Sequence, residues 1–484
     1  MLIFPVKNQF FALLILLGAC QSKPVGPPEP IGPLPNLSQL AWHEMEMNAF
    51  VHFSINTFTD KEWGFGDESP KLFNPVKFDA SQWVRIFSEA GFRGVILTCK
   101  HHDGFCLWPS QYTNHSVKYS VWMNGNGDVV KAVADACKKY GLKLGVYLSP
   151  WDRNHKDYGT PVYLEQYRKQ LTELFSNYGP IFEMWFDGAN GGDGYYGGAR
   201  EKRSIDGATY YEWPTTLDYV RKMSPSIIFF SDAGPGVRWV GNEKGIAGET
   251  NWSMLTPDTL FAGKAGIEAL LSTGSENGSQ WIPSEVDVSI RPGWFYHARE
   301  DSLVKSPEQL FGIYLTSVGR GSTLLLNIPP NQQGLIHEKD IASLRGFRTL
   351  LDQEFKTNLA NESSITSSSY RGQSDAYSPT MMIDGDSKTY WATDDNVKSA
   401  TIELSWKNDQ NVKYLMLQEY IRLGQRIKGF TIDTWEAGAW KKVATGTTIG
   451  YKRIVKLGNI RTRKLRLTIT DSRACIILHT LSVF

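Results

Sequence analysis

A closed parallel α/β barrel followed by a smaller all-β domain is the architecture that this sequence predicts, and three observations carry it. From about residue 40, apolar strands alternate with helical stretches, which implies a parallel sheet. Roughly eight such units precede residue 356, as a (β/α)8 barrel requires, and no Gly-rich phosphate loop follows the first strand to suggest a doubly wound sheet instead. Beyond that point short alternating segments such as ATIELSW, GFTIDTWE and KLRLTIT, separated by Gly, Asn and Asp, read as a β-sandwich. The 484 residues exceed what one ordinary core carries, so two folded domains are the natural division.

In chain order, the opening MLIFPVKNQF supplies Lys7, and FALLILLGA is an apolar run too short to span a bilayer. Leu17-Gly18-Ala19-Cys20 resembles a bacterial lipobox, which implies a cleaved leader over 1–20, lipid on Cys20 and an exported, membrane-tethered protein. An ordinary signal peptide ending in Cys is the plainer alternative. QSKPVGPPEPIGPLP, within 21–38, reads as a stiff extended linker. Over 39–355 the strands NAFVHF, RGVILTCK, LKLGVYLS, IFEMWFD, SIIFFSD, EVDVSI and STLLLN alternate with helices such as DASQWVRIFSEAG and HEKDIASLRGFRTLLDQEF. Residues 356–484 form the β-domain, entered through SSITSSSYRG.

Lys+Arg 51 against Asp+Glu 50 leaves a net charge of +1, with neither a basic stripe for nucleic acid nor an acidic tail. Cys99, Cys106, Cys137 and Cys475 show no zinc spacing; two disulfides in an oxidising compartment and four buried thiols both remain open. Sixteen Trp and 21 Tyr can fill cores, and they also suit the apolar faces of sugar rings.

In such a barrel the chemistry sits at the C-terminal strand ends. His52 lies on the first strand, Lys100-His101-His102-Asp103 end the second, and Tyr147, Ser149 and Trp151 the third. Asp187 ends the fourth, Arg238 to Glu243 come after the fifth, Arg291 to Trp294 after the seventh, and Asn327 ends the eighth. One such residue would mean little. Polar groups at seven strand ends on one face are hard to assign to packing. His52, His101 and His102 with Asp187 or Asp103 could be read as metal ligands, but no His-x-His pair follows, and imidazoles bonding to sugar hydroxyls fit better. No metal and no cofactor is therefore expected. Two carboxylates suffice for glycoside hydrolysis. Asp187, short and strand-mounted, suits a nucleophile; Glu243, Glu249 and Glu285 are the candidate acids, with Glu243 favoured by its Gly-flanked loop.

FVHFSINTF, KHHDGFCLW, GVYLSPWD, MWFDGAN and RWVGNEKG, in this order, resemble glycoside hydrolase family 29, the retaining α-L-fucosidases. SIRPGWFYH and RWVGNE look like the subfamily favouring α-1,3- or α-1,4-linked fucose on glycans. The resemblance implies Asp187 as nucleophile and Glu243 as acid/base, with His52, His101, His102, Tyr147 and Trp185 lining a fucose pocket and Trp63 and Trp294 as aromatic walls. GGDGYYGGAREKRSIDG, between the two carboxylates, looks like an insertion that reshapes the subsites beyond fucose. MMIDGDSKTYWATDD resembles the discoidin-like, coagulation-factor type C domains, which implies either a carbohydrate-binding module, with Trp435 or Trp440 as stacking platforms, or a purely structural appended sandwich. A structural Ca²⁺ there is an open expectation, although no complete oxygen-ligand set is visible. Two other readings stand beside the fucosidase: a different glycosidase on the same barrel, and a non-catalytic carbohydrate-binding surface lipoprotein.

Overall fold

Eight parallel strands close on themselves in chain order. They are Met47–Val51, Gly94–Lys100, Lys143–Leu148, Ile181–Trp185, Ile228–Ser231, Val237–Trp239, Ser284–Ser289 and Thr323–Asn327. The first pairs with both the second and the eighth, which makes the (β/α)8 barrel. The computed structural model describes residue 1 and residues 25–484, so Cys20 and the leader around it lie outside the described residues.

The second strand, GVILTCK, is buried along its whole length. Its inner face meets the barrel interior and its outer face meets helices, which is why parallel strands read as unbroken apolar runs. Inside the barrel Phe50, Tyr147, Trp185, Phe230 and Leu325 form one cluster, joined from below by Trp42 of the helix Leu37–His43. Between strands and helices lies the larger core. The helix Ala80–Ala90 illustrates how the sequence builds that layer. Asp79 caps it by accepting from the Gln82 N–H, and Gly91, at φ 94°, ends it in a left-handed turn. Trp83, Val84 and Phe87 on its inner face are fully buried, each stabilising the fold by roughly 1.5–3 kcal/mol.

One element differs from the expectation. Arg238 to Glu243 were expected simply after the fifth strand, but Val237–Trp239 is itself the sixth, paired with Phe230 and Ser231 on one side and with Ser284 and Glu285 on the other. Only the turn Asp232 to Gly236 joins it to the fifth, with no helix between. A three-residue strand shows no periodicity of its own, so pattern could not find it.

The C-terminal domain is all-β. Two long strands, Ala400–Glu419 and Arg453–Ser472, pair antiparallel and carry the rest of a seven-stranded sheet around a core that includes Trp391, Leu404, Phe430 and Leu467. Register shifts between Ser405 and Gln410 and between Val412 and Tyr414 bend the pair. In the IDGDSKT loop, Asp384 and Asp386 accept hydrogen bonds within their own turn. Trp435 and Trp440 are half-buried and pack edge-on at 5.2 Å; the Arg466 guanidinium covers one face of Trp440 at 3.9 Å and Lys464 lies over Trp435. Neither is therefore a freely exposed platform.

This domain meets the barrel next to the N-terminal ends of strands one, seven and eight, opposite the end where Asp187 emerges. Gln425 accepts from the Ser253 N–H and donates to Asn251 O, while Asn251 reaches Ser284 and Ser322. Glu46 pairs with Lys452, and Glu249 with both Arg320 and Arg453. The Pro-rich stretch, expected as an extended tether, is tied to the same domain over its described part. Gly26 O accepts from Arg371, Glu29 O from Arg426, and the Ile31 N–H donates to Leu423 O. Prolines lack an N–H and fix φ, so such a chain offers its carbonyls sideways, here to guanidiniums. The four described cysteines are buried and unpaired.

Candidate active site

Asp187 stands just past the fourth strand, beyond the buried Met184 and Trp185. Its carboxylate accepts from the Ala189 N–H at 2.6 Å and from the Tyr147 hydroxyl at 3.0 Å. Burial pushes its pKa above the usual carboxylate range, and these two donors act against that rise. A quarter of the side chain stays exposed, facing a cavity of about 300 Å³ at the C-terminal strand ends. His52, Trp63, His101, His102, Trp185, Glu243 and Trp294 line the same cavity, so all but one of the sequence-derived site residues come together there. The exception, Tyr147, lies immediately behind, stacked on Trp185 at 5.4 Å and touching the cavity through Asp187.

The imidazoles are set by their neighbours. Asn327 spends its amide N–H groups on Ser289 Oγ and Trp294 O, which turns its oxygen toward His52 Nδ1 at 2.9 Å. Nδ1 of His52 must therefore carry the proton, leaving Nε2 as an acceptor. Ser149 donates to Trp151 O, so its oxygen accepts from His102 Nδ1 at 2.8 Å, and His102 Nε2 comes within 3.9 Å of Asp187. Burial lowers the pKa of both rings to about 3 and that of His101 well below its usual value. The three imidazoles are neutral at pH 7. They can accept from or donate to sugar hydroxyls without adding charge beside Asp187. Among the described residues, no three His, Cys, Asp or Glu side chains are arranged to hold a metal ion.

Glu243 reaches the cavity from the loop after the sixth strand and accepts from the Trp294 indole N–H at 3.3 Å. Burial raises its pKa, as do the charges of Asp187 and Glu62. Both carboxyls are thus pushed toward holding a proton, Asp187 against two hydrogen-bond donors and Glu243 against one. The competing candidates are elsewhere. Glu249 ties the two domains together on the far side of the barrel. Glu285 is buried inside the barrel under Trp185, whose indole N–H it accepts at 3.0 Å.

Two carboxyls near Asp187 escaped the sequence reading, one of them lining the cavity. Asp287, on the seventh strand, lines the cavity and accepts from the Trp239 indole at 2.8 Å. The acidic residues at alternate positions in EVDVSI were a signal for it, since period two places 285 and 287 on one face. Asp232, in the turn after the fifth strand, abuts Gly188 and accepts from the Gly263 N–H at 2.7 Å; it ends the apolar run SIIFFSD as Asp187 ends IFEMWFD, a signal of the same kind. The segment read as an insertion folds as a hairpin, Gly192–Gly194 with Glu201–Arg203. It packs on the loops that carry Trp63 and Trp151: Trp151 donates to the Tyr196 hydroxyl at 3.0 Å, and Tyr195 N–H donates to Phe65 O. Trp63 itself is 52% exposed at the cavity rim.

Comparison with known proteins agrees with this geometry. Residues 34–354 match the family model "Alpha-L-fucosidase" and residues 364–480 the model "F5/8 type C domain". Alpha-L-fucosidase 1 of Arabidopsis thaliana is 42% identical over 482 residues, covering 98% of this chain and 92% of that protein. Among solved structures, a glycoside hydrolase 29 family member from an unknown rumen bacterium superposes with a TM-score of 0.84 at 43% identity, covering 94% of this chain and 78% of that one. A Ruminococcus gnavus GH29 fucosidase in complex with fucose gives 0.84 at 32% identity, covering 95% and 97%. With Asp187 and Glu243 facing one cavity in a closed barrel, and the family model spanning that barrel, this chain belongs to the GH29 α-L-fucosidases and carries a C-terminal F5/8 type C domain.

Proposed function

We propose that this α-L-fucosidase cleaves terminal α-1,3- or α-1,4-linked fucose from glycans with retention of configuration. The observation that carries the reading is the unequal environment of two carboxyls on one cavity: Asp187 held by two donors, Glu243 by one indole and beside a negative charge. In the first step an oxygen of Asp187 attacks the anomeric carbon while the bond to the leaving oxygen breaks, and Glu243 gives that oxygen its proton. In the second, Glu243 takes a proton from water, the water oxygen attacks the same carbon, and Asp187 leaves as carboxylate. His52, His101 and His102 bond the sugar hydroxyls, and Trp63 and Trp294 supply apolar walls. A related structure holding fucose supports the choice of sugar. The linkage preference rests on the RWVGNE and SIRPGWFYH motifs, and the exported, lipid-anchored location on the lipobox at Cys20.

The test separates the two roles. Asp187→Ala loses several powers of ten in rate on every substrate, because no covalent intermediate forms. Glu243→Ala retains its first step on an activated aryl fucoside far better than on an oligosaccharide. Azide, which needs no general base, then restores its turnover and gives a fucosyl azide of retained configuration. An azide product of inverted configuration, or rescue of Glu249→Ala or Glu285→Ala in place of Glu243→Ala, overturns the assignment.

A further inference from the structure

Beneath the cavity, the barrel interior holds two carboxyls that the mechanism does not use. Glu183 on the fourth strand and Glu285 on the seventh are both fully buried. Each has one oxygen engaged by an indole: Trp42 donates to Glu183 Oε2 and Trp185 to Glu285 Oε1, both at 3.0 Å. The two carboxyls lie against each other, and Glu183 Oε1 and Glu285 Oε2 have no donor from any other group. A continuous line therefore runs from the helix that plugs the barrel, through Trp42, Glu183 and Glu285, to Trp185. Trp185 lines the cavity, lies flat on Phe230 at 3.8 Å and stacks on Tyr147, the donor to Asp187.

Proton counting decides what this line is. Each outer oxygen must be an acceptor, because an indole N–H points at it. Two ionised carboxylates would leave two inner oxygens facing each other with nothing between. Two protonated carboxyls would leave at least one O–H without an acceptor. A single proton on one inner oxygen satisfies all four oxygens. We propose that Glu183 and Glu285 share one proton as a mono-anionic pair and act as positioning residues, fixing the Trp185 indole and with it Tyr147 behind the nucleophile. The part of this that concerns turnover rests on the roles given above to Asp187 and its pocket. Burial acts toward keeping a proton at this site, raising Glu183 to about 8 and Glu285 well above the usual range. Other titratable groups on the surrounding elements do not supply the proton. Burial pushes the Asp287 carboxyl well above its usual range and keeps His43, beside Trp42, uncharged, and Arg238 faces outward onto the carbonyls of Leu271, Ile282 and Trp252.

An amide can replace the shared proton once but not twice. In Glu285→Gln the amide oxygen accepts from Trp185 and the amide N–H donates to Glu183, so every partner is kept; Glu183→Gln is the mirror case. In the double variant the two amides cannot both turn their oxygens outward without setting N–H against N–H. Either single variant should keep kcat/KM on an aryl α-L-fucoside within about threefold of wild type. The double variant should fall by at least about tenfold, as one unsatisfied buried donor implies. If the pair were only two mutually repelling charges, removing both would help, so a double variant as active as the singles overturns the proposal. Folding provides a second readout that survives if the double variant does not fold. A folded-state pKa raised above the unfolded value means stability is fully present at low pH and is lost as pH rises through about 8. Relative to Glu285→Gln, the folding constant of wild type should drop by up to about tenfold per pH unit between roughly pH 5 and 8. A ratio independent of pH refutes proton sharing. This measurement uses no substrate, so it stands or falls apart from the azide experiment that tests Asp187 and Glu243.

Discussion

Tyr147→Phe removes one oxygen and leaves the ring. Tyr147 is completely buried, stacked on Trp185 and His101, so the phenyl ring has the same neighbours. What disappears is the O–H that Asp187 accepts at 3.0 Å, one of its two hydrogen bonds. A hydrogen bond to a charged group is worth about 1.5–3 kcal/mol. At about 1.36 kcal/mol per pH unit, its loss raises the pKa of Asp187 by roughly one to two units. The sign follows from the donor's preference: it stabilises the carboxylate, so without it the proton is held to higher pH. Attack requires the carboxylate, and kcat/KM reports the free enzyme. The acidic limb of the kcat/KM profile on an aryl α-L-fucoside should therefore move up by about one to two units, with the alkaline limb in place. A melting curve run beside it checks that the barrel is intact. An acidic limb that does not move in a folded variant would mean that Asp187 is not the group titrating there, and the nucleophile assignment would fail with it.

Gly188→Ala should be far more damaging than its size suggests. A methyl group at this position overlaps the Asp232 carboxylate and displaces the turn that holds Asp187, for which a loss of about 100-fold in kcat is expected; near-normal turnover would show that the turn tolerates the shift. Glu249→Gln should cut the links to Arg320 and Arg453 at a cost of about 1 kcal/mol or less per pair, lowering the melting temperature by a few degrees with kcat unchanged. Leaving-group-dependent rates in that variant would instead make it the acid. Cys20→Ala should move the protein from the membrane to the soluble fraction with unchanged kcat, and a variant that stays with the membrane removes the lipobox reading.

The barrel was legible because its strands are buried on both faces and helices such as Ala80–Ala90 and Val129–Tyr140 carry an Asp cap and a Gly stop, all local chemistry. Asp187 was legible for the same reason: IFEMW can only be a core strand, and a carboxylate at its end is out of place unless it works there. His101 and His102 followed from their position at a strand end. The sixth strand was not legible, since three residues hold no period. Glu249 and Glu285 could not be told from Glu243 along the chain, because each lies near Gly or at a strand edge; only the fold sends one to a domain junction, one into the barrel interior and one to the cavity. The same holds for Trp440, whose indole looked free until Arg466, 26 residues away (466 − 440), came to rest on it. Strand period, capping and burial act over a few residues and so are determined by the sequence alone: a parallel barrel, a β-domain after it, and a carboxylate at the end of a buried strand. Proton sharing between Glu183 and Glu285, the hydrogen bonds on Asp187 and the seat of the second domain opposite the cavity join residues far apart in the chain. Those depend on which strands closure brings together, and only the tertiary structure decided them.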